Sequence, residues 1–160
     1  MPSNMKKIYR KGAVGALMDE YERAVLELKN VLRQVSFDEF VVIRDLQTAD
    51  EDCRSIQTIV SHVVGSGYGY ANGIRRKFAM LVAKPQKTVF EYPEAFESLD
   101  DLIEYTAQTL ENHWEMSSSE MIATVIELNA EFTENFEQLL EHAIVHVLRH
   151  RRQIEKFLTV

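Results

Sequence analysis

The chain has 160 residues, of which 46% are hydrophobic and 27% charged, and its formal net charge is −7. This length suits a single domain, expected over residues 1–160, with its own core and no need of disulfides. The negative charge argues against nucleic-acid binding, because neutralising phosphates requires a basic surface.

Neither the N-terminal stretch nor the distribution of apolar residues points to export or to a membrane. The N-terminal stretch MPSNMKKIYRKG has two adjacent lysines but no apolar run behind them, so we expect no secretory signal. No segment approaches about 18 consecutive apolar residues, so we expect no membrane span. Cys53 is the one cysteine, which excludes an internal disulfide and suits a reducing compartment. These features predict a cytoplasmic protein.

The first half of the chain predicts two long helices. Apolar residues recur at three- and four-residue steps from about Tyr9 to Val35, which indicates an amphipathic helix. The connector that follows contains FVVIRDL, a candidate for a short extended piece. A second helix is predicted from about Asp52 to Val82.

The second half predicts two more helices separated by less regular segments. Residues 83–98 hold two of the three prolines and predict a loop, after which Ser98 would cap a helix running from 99 to about 116. Residues 120–132 fit either a short helix or an extended arm. Thr133 is the predicted N-cap of a last helix that reaches Leu158. Four long amphipathic segments without a sustained alternating pattern predict an all-α, up-down four-helix bundle.

The last helix carries a ladder of three of the five histidines, His142, His146 and His150, within EHAIVHVLRHRRQIEKF. Residues four apart are offset by only about 40° around a helix, so these side chains share one side. His150 lies nearest the centre of the apolar stripe and should face the core, with His146 at its shoulder and His142 at the rim. An i, i+4 pair can chelate a divalent metal, but half-buried histidines bonded to carboxylates or carbonyls show the same spacing.

A catalytic metal site would need a third ligand from another helix. No glutamate stands three residues before His142, His146 or His150, so the Glu-x-x-His motif of carboxylate-bridged di-iron bundles is absent from this helix. Valine follows His146 where a zinc peptidase needs its glutamate. The candidates for the third ligand are His62, inside the second helix, and His113, which we expect on an amphipathic surface beside Trp114.

The second helix is unusually rich in glycine around His62. Glycine destabilises a helix by about 1 kcal/mol relative to alanine at an interior position, so this pattern requires a structural explanation. The small residues either leave a groove open to a ligand, permit close helix–helix contact, or break the helix at 65–69. The residues concerned are Gly65, Ser66, Gly67, Gly69 and Gly73.

A mid-helix His62 followed by LLEHAIVHVLRHRRQIEKFL resembles the DinB-like superfamily, also known as the YfiT-like metal-dependent hydrolases. The signature of the last helix ends in histidine, arginine, a variable residue, glutamine and isoleucine, here HRRQI at 150–154. Many members have glycine where this chain has Arg152. The resemblance implies a four-helix bundle in which His62, His146 and His150 bind a divalent metal, and it leaves His142 as an extra rung.

The resemblance also implies a class of reaction. Characterised relatives include thiol-dependent S-transferases and a thiol-dependent isomerase, so we expect thiol transfer or hydrolysis, with a small-molecule substrate or thiol as partner. Imidazole ligands suit zinc or nickel best, and iron, manganese or copper are compatible. The alternative is a non-catalytic metal- or ligand-binding bundle of the stress response. Pairing through a helix face, as a homodimer, fits either function.

Other residues near the ladder have open roles, and no general base is assigned. Gln153 lies near His146 on the helix surface and could orient a metal-bound group. Arg149 and Arg152 would either attract an anionic substrate or, as is more common, form surface ion pairs. Tyr68 and Tyr70 would serve as proton donors or pocket walls, although core packing is the more common role.

Overall fold

The computed structural model describes residues 8–83 and 88–159, and this part of the chain forms six α-helices and one β-hairpin. Short 3₁₀ turns lie at Glu51–Cys53 and Glu111–His113. In chain order the elements are α1 (Gly12–Leu32), α2 (Phe37–Val41), α3 (Ile56–Lys77), α4 (Tyr92–Leu110), α5 (Ser118–Ala123), β1 (Val125–Asn129), β2 (Phe132–Asn135) and α6 (Phe136–Leu158).

The four long helices form the predicted bundle, in the order α1, α4, α3, α6 around its axis. Tyr92 at the start of α4 donates to the carbonyl of Leu32 at the end of α1, so these two helices are antiparallel. Near the end of α3, Arg75 donates to Thr109 near the end of α4, so α3 and α4 are parallel. The helices therefore run up, down, down and up, which refines the predicted up-down arrangement.

A parallel α3–α4 pair requires a connection that returns along the bundle. The described parts of this connection are anchored to α3 at both ends. Asn72 donates to the carbonyl of Ala83, and the Phe90 N–H donates to the Ser61 hydroxyl. The crossover from 78 to 91 therefore starts and finishes beside α3.

The predicted start of the third long helix is wrong by seven residues. α4 begins at Tyr92, and a reciprocal capping box joins Glu91 to Glu94. Pro93 stands in the first turn, where a missing N–H leaves no hydrogen bond unmade. Ser98, the predicted N-cap, is therefore inside the helix, and residues 83–98 are only partly a loop.

The predicted start of the last helix is corrected by two residues. Asn135, not Thr133, is the N-cap, in a capping box with Gln138. Thr133 belongs to β2, where it pairs with Glu127 of β1. The ambiguous segment 120–132 contains both elements considered, a short helix and then most of a hairpin.

The first two long helices are shorter than predicted. α1 covers Gly12–Leu32, and α3 begins at Ile56 after the N-cap Ser55 and ends at Lys77. The connector between them is mostly not extended: Phe40 lies in α2, and Ile43 makes an isolated bridge to Ser55. Among the described helices, none combines the length and apolar character needed to cross a membrane.

The core runs between the four long helices and continues under the hairpin. Large apolar side chains from α1, α3, α4 and α6 are completely buried there, and Ile126 of β1 joins them. The hairpin is therefore part of the packed domain. The largest fully buried side chains include Met18, Leu28, Leu32, Ile56, Ile59, Ile74, Leu99, Leu102 and Phe136.

The glycines of α3 divide into tight and open positions on an unbroken helix. A Cβ at Gly67 would lie 2.5 Å from Leu102 Cδ2 and 2.9 Å from the Tyr21 hydroxyl. At Gly73 it would lie 2.8 Å from Leu128 on the hairpin. At Gly65 and Gly69 it would meet nothing within 4 Å. Close packing thus explains two glycines, and open space surrounds the other two.

This contrast predicts opposite effects of the same substitution. Gly67→Ala should lower the free energy of unfolding by about 1–3 kcal/mol, because buried Leu102 cannot move aside freely. Gly69→Ala should raise it by about 0.5–1 kcal/mol through reduced backbone entropy in the unfolded chain. Urea denaturation followed by circular dichroism measures both, each variant serving as the control for the other. Equal effects of the two substitutions would contradict the packing described.

Candidate metal centre

Three histidines meet across the seam between α3 and α6. The Nε2 atoms of His62 and His146 are 3.1 Å apart, and those of His146 and His150 are 3.2 Å apart. One ring nitrogen from each lies within 4.8 Å of the other two. α3 supplies His62 and α6 supplies the i, i+4 pair, so antiparallel packing of two helices assembles the cluster.

The far nitrogens of two of these rings face oxygen acceptors. The Asp52 carboxylate lies 3.4 Å from His62 Nδ1, and Gln153 Oε1 lies 3.1 Å from His150 Nδ1. An ionised carboxylate and an amide oxygen only accept hydrogen bonds, so each Nδ1 carries the proton. A neutral imidazole has one N–H, and the Nε2 atoms of His62 and His150 therefore present lone pairs to His146.

This donor set fits a bound cation better than a hydrogen-bonded cluster. His146 Nε2 has at most one proton, so it can satisfy one of the two lone pairs that face it. Two imidazole nitrogens at about 2.0–2.1 Å from a tetrahedral zinc would be about 3.3–3.4 Å apart, close to the spacing here. The three histidines could thus hold a divalent metal ion with little movement.

The surroundings keep the rings of His146 and His150 uncharged. Burial, followed by the neighbouring histidines and Arg149, lowers the pKa of His146 to about 3. Burial is also the main cause that lowers the pKa of His150. Both side chains are half-buried, so the expected difference between a core-facing His150 and a shoulder His146 is not seen. Neutral imidazoles are the protonation state that a metal requires.

Local capping interactions place the oxygen acceptors. The N-cap Ser55 fixes the start of α3, and the 3₁₀ turn just before it carries Asp52 over the first turns of the helix. Gln153 stands one turn after His150 on α6 and reaches back to it. The expected position of Gln153 near the ladder is therefore correct, and its contact is with His150.

His142, the extra rung, belongs to a second polar cluster one turn away. Its Nδ1 lies 2.9 Å from a carboxylate oxygen of Glu134, which stands on β2. Its Nε2 lies 3.5 Å from the Tyr70 hydroxyl. Burial, and then the Glu134 charge, raises the pKa of Tyr70 to about 12, and the neighbouring Ser66 side chain opposes this rise.

His113 lies outside both clusters, and the prediction that it is a surface residue is wrong. Its ring stacks on Phe78 with centroids 4.1 Å apart and meets the edge of Phe136. Burial lowers its pKa. The aromatic contacts give this histidine a packing role at the end of the bundle away from His62.

A cleft of about 710 Å³ opens beside the triad, between α3, the start of α4 and the crossover. His62 and Asp52 stand at its inner wall. Tyr68 lines the cleft and so forms a pocket wall rather than core. Ser66 and Gly65 also line it, so the small residues around His62 leave a groove on this side of α3. Arg149 and Arg152 are exposed and do not line the cleft.

Comparison with known proteins agrees with this architecture. A family model described as the DinB family matches residues 6–159. The chain belongs to the DinB family. No curated protein matches it in sequence.

One solved structure resembles the chain in fold. It is the crystal structure of a conserved protein from Enterococcus faecalis, with 14% sequence identity and a TM-score of 0.51. The match covers 91% of this chain and 95% of the other. At this identity the likeness concerns the helical fold alone.

The sequence pattern did not indicate that two carboxylates, those of Asp52 and Glu134, contact histidines. Each lies in a short element before a helix, so no helical spacing connects it with its histidine. The N-cap signals were the available clue, because a carboxylate just before a capped helix can fold back over the first turns. Both contacts depend on a 3₁₀ turn and a hairpin that the hydrophobic pattern did not resolve.

The contacts predict the tautomers of the metal-free protein. Long-range ¹H–¹⁵N correlation spectra near neutral pH should show His62, His142 and His150 with the proton on Nδ1. Asp52→Asn should shift the His62 signals and leave those of His142 in place, which also provides the assignment. Protons on Nε2 of both His62 and His150 would contradict the lone-pair arrangement derived above.

Proposed function

We propose that the chain is a divalent-metal-dependent enzyme acting on a small molecule by thiol transfer or hydrolysis, with His62, His146 and His150 as its metal ligands. The observation that carries this proposal is the convergence of three Nε2 atoms with outward Nδ1 atoms held by Asp52 and Gln153. Membership of the DinB family supports it.

The ligand set suits catalysis better than a purely structural site. Three neutral imidazoles leave a divalent ion its full charge and an open position, where it would act as a Lewis acid on a thiol, a water or a substrate oxygen. Asp52 and Gln153 orient the rings and fix their tautomers. The rings are partly exposed, with 26% of the His62 side chain accessible, so a small molecule can approach.

The cleft provides the space for that molecule. Its volume of about 710 Å³ lies in the range of small-molecule sites, and His62 connects it to the triad. Thr58, Ser61 and Ser66 line it; the first two hydroxyls donate to the carbonyls of Ser55 and Gln57, so Ser66 is the hydroxyl left to orient a bound compound. Thiol transfer is the first reaction to test, because of the chemistry implied by the family resemblance, and hydrolysis is the second.

Metal content tests the ligand assignment. Untagged wild-type protein should contain close to one divalent ion per chain, and His62→Ala, His146→Ala and His150→Ala should each lose most of it. His113→Ala is the matched control and should retain the ion, since its ring packs on Phe78. Elemental mass spectrometry after zinc is added back and excess removed gives the numbers. Equal, negligible metal in all proteins would refute the proposed site.

The role of Asp52 has a separate test. Asp52→Asn should weaken metal affinity about 10- to 100-fold, the usual effect of losing a carboxylate behind a histidine ligand. Glu51→Gln, in the same turn and paired with Arg54, removes the same charge without touching His62 and should change affinity little. Competition with a chromophoric chelator measures both. Identical affinities for the two variants would show that Asp52 contributes only its charge.

Turnover tests the reaction itself. Metal-loaded protein is given small electrophiles, such as alkyl halides, epoxides and activated esters, with and without a low-molecular-weight thiol. Loss of electrophile that needs the thiol indicates transfer, and loss without it indicates hydrolysis. Turnover should fall at least about 100-fold in His150→Ala, and turnover that survives chelation would exclude the metal-dependent scheme. Stoichiometric metal that admits no exogenous ligand would instead favour the non-catalytic binding bundle.

A further inference from the structure

The cluster of Glu134, His142 and Tyr70 has no part in metal ligation, yet it lies one turn along the same α3–α6 seam. Tyr70 is two turns after His62 on α3, and its ring meets the edge of His146 with centroids 5.9 Å apart. His142 is one turn before His146. A ligand held at the triad therefore has this cluster as a neighbour.

The hydrogen bonds of the cluster fix the direction in which each group donates. Glu134 accepts from His142 Nδ1–H, so His142 Nε2 is an acceptor. The Tyr70 hydroxyl faces that nitrogen and donates to it. With the Ser66 hydroxyl beside it, the Tyr70 oxygen keeps one further lone pair, and it offers a bound molecule an acceptor rather than a donor. The Glu134 side chain is 18% exposed and that of His142 is 32% exposed, so the cluster is shielded but reachable.

Other residues, those that line the cleft, also favour ligands with hydrogen-bond donors or positive charge. Ser66 lines the cleft and lies beside the Tyr70 hydroxyl, which links the two regions. Asp52 and Asp101 are the charged members of the described lining, and no lysine or arginine is among them. The charge of Arg149 acts on His146 and His150, but this side chain is exposed on α6, outside the cleft. Acceptors and negative charge thus dominate the space a substrate would enter.

We infer that the site selects ligands that carry a hydroxyl or ammonium group close to the metal-binding atom, and that Tyr70, oriented by His142 and Glu134, accepts the hydrogen bond from this group. The inference rests on the proposed function, since it places a ligand at the triad. It opposes the alternative in which Arg149 and Arg152 attract an anionic substrate, and it agrees with the more common role of such arginines in surface ion pairs. Tyr70 is the recognition residue, and Glu134 is a positioning residue that acts through His142.

Three thiols with the same two-carbon spacer test this polarity: 2-aminoethanethiol, 2-mercaptoethanol and 3-mercaptopropionate, which end in ammonium, hydroxyl and carboxylate. Each is titrated into the cobalt(II)-loaded protein, and the change in the cobalt absorption spectrum gives its dissociation constant. The thiols differ in acidity, so the comparison is the change that Tyr70→Phe causes for each probe. Tyr9→Phe is the matched control, because Tyr9 precedes α1, lies outside the α3–α6 seam and is 63% exposed.

Tyr70→Phe should weaken binding of the ammonium and hydroxyl probes about fivefold, the effect of one lost hydrogen bond, and leave the carboxylate probe unchanged. Glu134→Gln should reduce the same preference, because a glutamine amide can also donate to Nδ1 and let His142 donate to Tyr70. This variant keeps the test valid should Tyr70→Phe fail to fold or to bind cobalt. Tyr9→Phe should match wild type.

The outcomes distinguish a failure of this inference from a failure of the proposed function on which it rests. A carboxylate probe that weakens as much as the others, or that binds wild type best and loses most in Tyr70→Phe, overturns the inference while thiol binding at the metal stands. Cobalt that binds stoichiometrically but responds to none of the three thiols overturns the proposed thiol chemistry, and the inference falls with it.

Discussion

The antiparallel register of α3 against α6 is the constraint on which the candidate site depends. His62 lies on one helix and its two partners on the other, and a slip of one residue would move a side chain about 1.5 Å along and 100° around the helix. Contacts two and three turns along α3 from His62 resist such a slip: Tyr70 meets His142, and Gly73 lets the hairpin residue Leu128 pack against the α3 backbone. The hairpin thus supports the candidate metal site from a distance, and it also carries Glu134.

The sequence was sufficient for the bundle because amphipathic periodicity extends over whole helices. The sequence did not predict the helix boundaries correctly, because a few competing local interactions decide where a helix begins and ends. Proline at 93 suggested a loop, but in the first turn of a helix its fixed φ is favourable, so α4 begins earlier than predicted. The hairpin was missed because its strands have five and four residues, too few to establish an alternating pattern. The parallel direction of α4 depends on the path of the crossover, which no periodicity records.

The histidines of the candidate site could be predicted from the sequence for a different reason. Spacing places His146 and His150 on one side of a helix whatever the rest of the fold does, and the family signature adds His62. What spacing cannot supply is the set of oxygen acceptors behind the rings, since the Asp52 contact depends on how a 3₁₀ turn folds over α3. Nor could it place the cleft, because that cavity exists only once the crossover has returned along the bundle.

The up, down, down, up order of the helices explains why a triad and a cleft occur together. An antiparallel neighbour, α6, brings two histidines to one side of α3, and a parallel neighbour, α4, requires a long return segment on another side. That segment and α4 enclose the cleft, and α3 is shared by both sites. Its small residues serve each in turn: Gly67 admits Leu102 of α4, while Gly65 and Ser66 leave the space beside His62 unfilled. The cost in helix propensity of several glycines is thereby offset by close packing on one side and by access to the histidines on the other.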